Sequence, residues 1–401
     1  MSSPQSVSST PAKSKRLDFI DLLRGWAVIV MVETHVFNAT LTVAIKSDEL
    51  FGYIAFINGL VAPSFLFASG LAYAITTRRK ITDYLSFGRP LFKQLGRLFF
   101  VLALGYLLHL PKFNYAQIVA VTEERPWRIF FQADVLQCIA ASLIFMQMLL
   151  LLLKSERRLY LTLTAITIGV ICLTPIIWGI DFWPILPAIL AGYTNGTHFQ
   201  NFPGFPLFPW SAFLFAGAIF GYAYLRAKDA ATKEGAPYDE MRMMKRVLWA
   251  APTLIALSVL IEPLAASVYA TYDYWKFSPS FTLLRLGLVM LLCVGMFYSE
   301  KKKGVASSSP VTLVGRESLI VYATHLLLFY GNFSTFNFSK RVNQTFGYLE
   351  AAATTVALLV LMYGLAYFWG RVKRESPQWK LILQYGALAV LVGVFFFGPG
   401  E

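Results

Sequence analysis

Long apolar runs, each of about 20 residues and separated by short polar connections, recur along this 401-residue chain and leave it few folds to choose from. A helix rising 1.5 Å per residue needs about that length to cross the ~30 Å hydrocarbon core of a bilayer. Inside lipid every backbone N–H and C=O must be paired within the protein, which only helices and closed barrels achieve. The two-residue alternation of barrel strands is absent. The chain therefore reads as an all-α polytopic membrane bundle of about eleven transmembrane helices. They lie near 18–38, 53–76, 92–110, 134–153, 159–180, 206–225, 247–268, 281–298, 312–330, 349–369 and 380–398. Only 14% of the residues are charged and 57% are apolar, against about a quarter charged in soluble domains. A soluble fold, a disordered chain, a collagen and a disulfide scaffold are all excluded by that balance. Cys138, Cys172 and Cys293 fall inside apolar runs and read as small core residues.

Charge placement sets the expected orientation. With the N-terminus in the cytosol, 26 Lys and Arg fall in inner segments and 7 in outer ones, and Arg24 and Arg285 lie within spans. That bias is the positive-inside pattern and puts the C-terminus outside. It also accounts for the net charge of +13 through topology and contact with anionic lipid, without nucleic acid. Residues 1–16 are Ser- and Pro-rich and read as a disordered cytosolic tail, with 17–401 a single transmembrane domain. The 301–309 stretch reads as a flexible inner linker. Segment 181–205 is too broken by Pro and Gly to span, so it is expected to form a structured loop or re-entrant segment.

Ionisable groups within spans are costly unless paired or functional. The first span, LDFIDLLRGWAVIVMVETH, carries Asp18, Asp21, Arg24, Glu33 and His35. Arg24 and His35 are about 1100° apart in helical rotation, hence on one face, with His35 about 16 Å further out. Asp21 lies on the same side and Glu33 on the other. One stripe thus offers a cation near the cytosol for an anionic ligand and an imidazole deep in the membrane. Asp21 and Arg24 can equally be a structural ion pair, and His35 a helix-end residue. As a base, an imidazole, with an ordinary pKa of about 6.5, can take a proton from a hydroxyl or amine near neutrality. FFQADVLQCIA opens the fourth span with Gln132, Asp134 and Gln137, which suit a hydroxyl-rich or amine acceptor, or cap the helix. The ninth span, VGRESLIVYATHLLLFYG, places Arg316 at its inner end and His325, nine residues and 900° on, on the opposite face. Arg316 can clamp a phosphate or anchor at the headgroups, and His325 reads as a packed helix residue. Trp210 lines a sugar-sized pocket or joins the interfacial aromatic belt. His198 can reach back over the site from its loop, and His109 reads as an interface residue. No His/Cys set has metal-ligand spacing, and no phosphate loop, dinucleotide fingerprint or nucleophile elbow occurs.

An arginine, ten residues and a histidine, preceded by FIDLL, together with APSFLFASGLAYAI, DVLQCIA, FPLFPWSAFLFAGAIFG and VGRESLIVYATH in that order, resemble the transmembrane acyltransferase superfamily, which is related to acyltransferase-3 membrane proteins. The set is most similar to the heparan-α-glucosaminide N-acetyltransferase-like catalytic domain family and its bacterial members, over nearly the whole chain after residue 16. The resemblance implies transfer of an acyl group, most simply acetyl, from cytosolic acetyl-CoA to a sugar amine or hydroxyl on the outer or lumenal side, with no metal. It implies His35 as the catalytic residue. Arg24 and Arg316 would hold the CoA phosphates, and Asp134, Gln137, Gln132 and Trp210 the acceptor. Asp21, Ser318 and His325 would support them. The family's lysosomal representative has its histidine in the first outer loop, but residues 36–52 hold none here, so the role falls to His35, by acyl-histidine or direct transfer. The expected partners are a saccharide or glycan acceptor and membrane lipids, with self-association into a homo-oligomer left open. The expected location is a bacterial inner membrane. The alternative is a transporter or flippase for an anionic or lipid-linked sugar, in which the same charges line a path; a scaffold subunit would not require them.

Overall fold

The computed structural model describes residues 17–196, 204–235, 237–303, 309–331 and 337–398. The expected tail, His198 and most of the 301–309 linker lie outside them. Regular structure among the described residues is helical: α1 (Asp18–Thr40), α2 (Glu49–Asn58), α3 (Val61–Leu85), α4 (Arg89–Leu108), α5 (Tyr115–Val119), α6 (Glu124–Phe131), α7 (Val135–Leu153), α8 (Glu156–Trp178), α9 (Ala188–Thr194), α10 (Leu207–Lys233), α11 (Glu240–Val268), α12 (Tyr274–Phe277), α13 (Pro279–Lys303), α14 (Pro310–Arg316), α15 (Ser318–Tyr330), α16 (Phe338–Val342), α17 (Tyr348–Glu375) and α18 (Pro377–Phe397). Nine helical stretches among these residues are long and apolar enough to cross a membrane, ten if α14 and α15 are one broken span. The chain is an all-α polytopic membrane protein. Helices outrun the expected spans at their polar ends, as where α10 continues to Lys233 and α11 starts at Glu240, because a helix needs lipid only over its apolar length.

α1 is not among the nine, since Asp18, Asp21, Arg24 and Glu33 dilute its apolar residues. It sits inside the bundle, surrounded by α3, α13, α14, α15 and α17. Leu23, Ala27, Val28, Val32 and Val36 are fully buried. A helix carrying that many charges needs protein on its sides. The largest core cluster lies alongside, where Leu66, Phe67 and Leu71 of α3 meet Phe213, Leu214 and Ala218 of α10.

The ninth span corrects one expectation. It is not continuous: α14 and α15 meet at 85°, with Glu317 at the corner (φ −100°, ψ 20°). Contacts on both sides hold the bend. Lys373 of α17 bonds the Glu317 carboxylate at 2.5 Å. On the other side α14 touches the α1 backbone, where a Cβ at Gly315 would stand 2.0 Å from the Asp21 carbonyl oxygen and one at Gly25 2.0 Å from that of Val311. Glycine at both positions is what admits this approach.

Of the 181–205 segment, the described residues 181–196 carry α9, and 204 and 205 lead into α10. Ala133 N–H donates to Gly192 O (3.0 Å) and Phe205 N–H to Ala133 O (2.7 Å), which ties both parts to the start of α7. The Asn195 amide donates to the carbonyls of Ile177 (2.7 Å) and Ile180 (2.8 Å) at the end of α8.

Candidate functional site

Two groups of polar residues occupy the two ends of α1. At the inner end by the charge rule, Arg316 donates from Nη2 to Asp18 (2.8 Å) and from Nε to Asp21 (3.2 Å). Asp21 is 2% exposed and also lies 3.7 Å from Arg24. The bend makes this possible: Arg316 ends α14 and faces α1, while His325 sits on α15 and faces α1 further out. The opposite-face arrangement expected of a straight span does not occur. Ser318 begins α15, half-buried, beside the corner.

At the other end lies a cavity of about 1290 Å³, above the usual ~300–1,000 Å³ of small-ligand sites. It is bounded by the outer half of α1, the starts of α3, α7, α10 and α13, and α15. Rim residues Glu123, Arg125 and Lys340 belong to connections on the face that the charge bias assigns to the outside. His35 lies on its wall, with Nδ1 3.2 Å from the Tyr330 hydroxyl. Its ring is 5.2 Å, centroid to centroid, from that of His325. His325 is fully buried, donates Nδ1–H to Val321 O (2.9 Å), and among the described residues has no hydrogen-bond partner at Nε2.

Asp134 also lines the cavity. It occupies the N-cap position of α7 but its side chain makes no cap bond, so the capping alternative is not realised. Its carboxylate instead accepts from Tyr322 OH at 2.9 Å and stands 3.5 Å from His109 Nε2. His109 Nδ1 is held by Gly105 O at 2.9 Å, which turns Nε2 toward the carboxylate; the residue, at the end of α4, is part of the cavity wall. Trp210 is in the wall too, edge-on to Phe205 at 4.7 Å, so the belt alternative does not describe it. Phe208 leaves helical geometry (φ −101°, ψ 116°) just before it, and its carbonyl accepts from Trp178 Nε1 at 2.9 Å.

Gln132 and Gln137 are placed elsewhere. Both are buried, their amides have no hydrogen-bond partner among the described residues, and neither lines the cavity. Gln137 packs on Gly105 and Gln132 on Gly204. Arg24 and Arg316 do not line the cavity either; on α1 its lining begins at Met31, two turns beyond Arg24. Among the described residues, this cavity reaches His35 but does not extend along α1 to Arg24. Four cavity residues escaped the sequence reading as site residues: His109, Tyr322, Tyr330 and Arg285. Arg285 carried the same signal as Arg24, an ionisable group within a span. The tyrosines carried none, being common in apolar helices. Among the described residues no three His, Cys, Asp or Glu side chains form a metal-binding group.

A family model described as heparan-alpha-glucosaminide N-acetyltransferase, catalytic, matches residues 16–255. The matched stretch contains Arg24, His35, Asp134 and Trp210 and ends before Arg285, Arg316, Tyr322 and His325, so it is shorter than the near-complete resemblance expected. No curated protein matches the chain. The match covers more than half of the sequence, and the chain belongs to the heparan-alpha-glucosaminide N-acetyltransferase catalytic-domain family of membrane acetyltransferases.

Proposed function

We propose that the protein transfers an acetyl group from cytosolic acetyl-CoA to an amine or hydroxyl of a saccharide on the outer or lumenal side of the membrane, in a bacterial inner membrane. The observation that carries this reading is His35 on the wall of a large cavity, with Nδ1 engaged by Tyr330. When Nδ1–H donates to the tyrosine oxygen, Nε2 carries the lone pair. That nitrogen takes the acceptor's proton as the acceptor oxygen or nitrogen attacks the thioester carbonyl. The C–S bond breaks, and the thiolate leaves as CoA thiol with the proton returned by the imidazolium. A two-step route through an acetyl-histidine uses the same nitrogen. Asp134 and Trp210 orient the sugar, and the basic inner end, with Arg24 and Arg316, supplies cations for the CoA phosphates. Because Arg316 is already shared by Asp18 and Asp21, its contribution to phosphate binding requires it to divide its donors.

His35→Ala is expected to lower acetyl transfer by about 10²–10⁴-fold, the span of general acid–base catalysis, while the purified protein is still stabilised by acetyl-CoA in a thermal melt. Near-normal turnover in that variant would overturn the assignment. A wild-type protein that acetyl-CoA does not stabilise would favour the transporter alternative.

A further inference from the structure

A second pocket, of about 350 Å³, opens at the ends of α3, α8 and α10 that the charge bias assigns to the cytosol. It is lined by Arg78 of α3, Glu156 and Arg157 of α8, and Arg226, Asp229 and Lys233 of α10. Arg78 is half-buried and bonds both acids, Glu156 and Asp229, so it fastens α3 to α8 and α10. Both carboxylates are thereby engaged. Arg157, Arg226 and Lys233 are exposed, and among the described residues none of them has an ion pair or a side-chain hydrogen bond. Three cations without a counter-charge thus converge on one concavity. A cleft lined by one sign of charge concentrates the opposite ion.

Depth and surroundings select the anion. The pocket sits where apolar spans give way to inner polar connections, the level of lipid phosphates, and basic pockets between helices at that level take anionic headgroups. Beside it α8 keeps an apolar side open to lipid, with Leu161, Ile168 and Leu173 exposed. Acyl chains can lie there while the headgroup enters the pocket. None of the pocket's residues is on α1, which carries His35, or on α14, which carries Arg316. We propose that this pocket binds the phosphate of an anionic glycerophospholipid of the inner leaflet through Arg157, Arg226 and Lys233. The guanidinium forks suit paired phosphate oxygens, and the ammonium adds a point charge. The site is independent of the acetyl-transfer reading. Coenzyme A and free phosphate share the chemistry, so the test separates the sources.

The detergent-purified full chain is titrated in thermal melts with dioctanoyl-phosphatidylglycerol, dioctanoyl-phosphatidylcholine, inorganic phosphate and acetyl-CoA. Phosphatidylglycerol is expected to bind wild type about tenfold or more tightly than phosphatidylcholine, whose choline cancels the phosphate charge. Arg157→Gln, Arg226→Gln and Lys233→Gln are each expected to weaken it about fivefold, the worth of one cation facing an anionic lipid, with acetyl-CoA binding unchanged. Arg78 is left in place because it holds the helices together. A control removes three exposed cations from the inner end of α4, Arg89→Gln, Lys93→Gln and Arg97→Gln together, and is expected to keep the full preference. Equal binding of the two lipids by wild type overturns the proposal whether or not the variants fold. So does a preference that survives removal of all three pocket cations, or one that the α4 control loses equally, which would make it bulk surface charge. Inorganic phosphate that binds as tightly as phosphatidylglycerol would leave a free-phosphate site in place of a lipid site. Loss of acetyl-CoA binding in the pocket variants would assign the pocket to the donor instead.

Discussion

The Tyr330 hydroxyl stands 3.2 Å from His35 Nδ1, and it comes from α15, the arm that swings round the Glu317 corner. An imidazole is useful as a base only if its tautomer and ring plane are set by a partner on the other nitrogen. Tyr330→Phe keeps the ring and the cavity shape but deletes that partner. The expected outcome is a drop in kcat of about tenfold, in line with one lost hydrogen bond, with the KM for acetyl-CoA unchanged; steady-state kinetics on the purified variant checks it. A collapse as deep as that of His35→Ala would instead make Tyr330 a participant in proton transfer. Residue chemistry was partly legible in the sequence. His35 and Asp134 stood out because charged and imidazole groups are rare in lipid-facing helices, and both line the cavity. Gln132 and Gln137 were grouped with Asp134 as neighbours in FFQADVLQCIA. Asp134 has extended backbone and precedes the first turn of α7, so nearness in sequence does not set a shared direction there, and the two amides turn into the protein.

At the scale of helices, hydropathy located most spans to within a few residues, because crossing lipid imposes a length that side chains must respect. The corner at Glu317 had no such signature. VGRESLIV contains no proline and its single glycine serves helix contact. The bend is made by partners distant in sequence, Lys373 on one side and Asp18 and Asp21 on the other, and no local pattern encodes them. The α1–α14 contact makes a sharp test. Gly25→Ala would place a methyl 2.0 Å from Val311 O, and overpacking of this kind costs about 1–3 kcal/mol. Gly96 in α4 has nothing within 4 Å of an added Cβ, so Gly96→Ala is expected to stabilise by about 0.5–1 kcal/mol through helix propensity. Thermal melts of the pair in detergent should move in opposite directions. A Gly25→Ala melt equal to wild type would mean that α14 is not seated against α1.

Over the whole molecule, the first half of the chain supplies the groups the family match covers, and the second half supplies Arg285, Tyr322, His325 and Tyr330. Neither half closes the cavity alone, and nothing in the apolar pattern indicated which helices would meet across it. α1 is synthesised well before its ion-pair partner, for Arg316 bonds Asp21 across a separation of 295 residues. At roughly 5–20 residues per second, a ribosome needs about 15–60 s to make that counter-ion. A chain truncated after residue 309 is thus expected to leave α1 exposed to membrane quality-control proteolysis, and pulse-chase labelling should show it decaying faster than the full chain. Equal lifetimes would mean that α1 is sheltered without α14. During that interval Asp18 and Asp21 lack the guanidinium of Arg316, and Asp21 has Arg24 of its own helix beside it. A charged helix thus waits in the membrane for a partner made long after it.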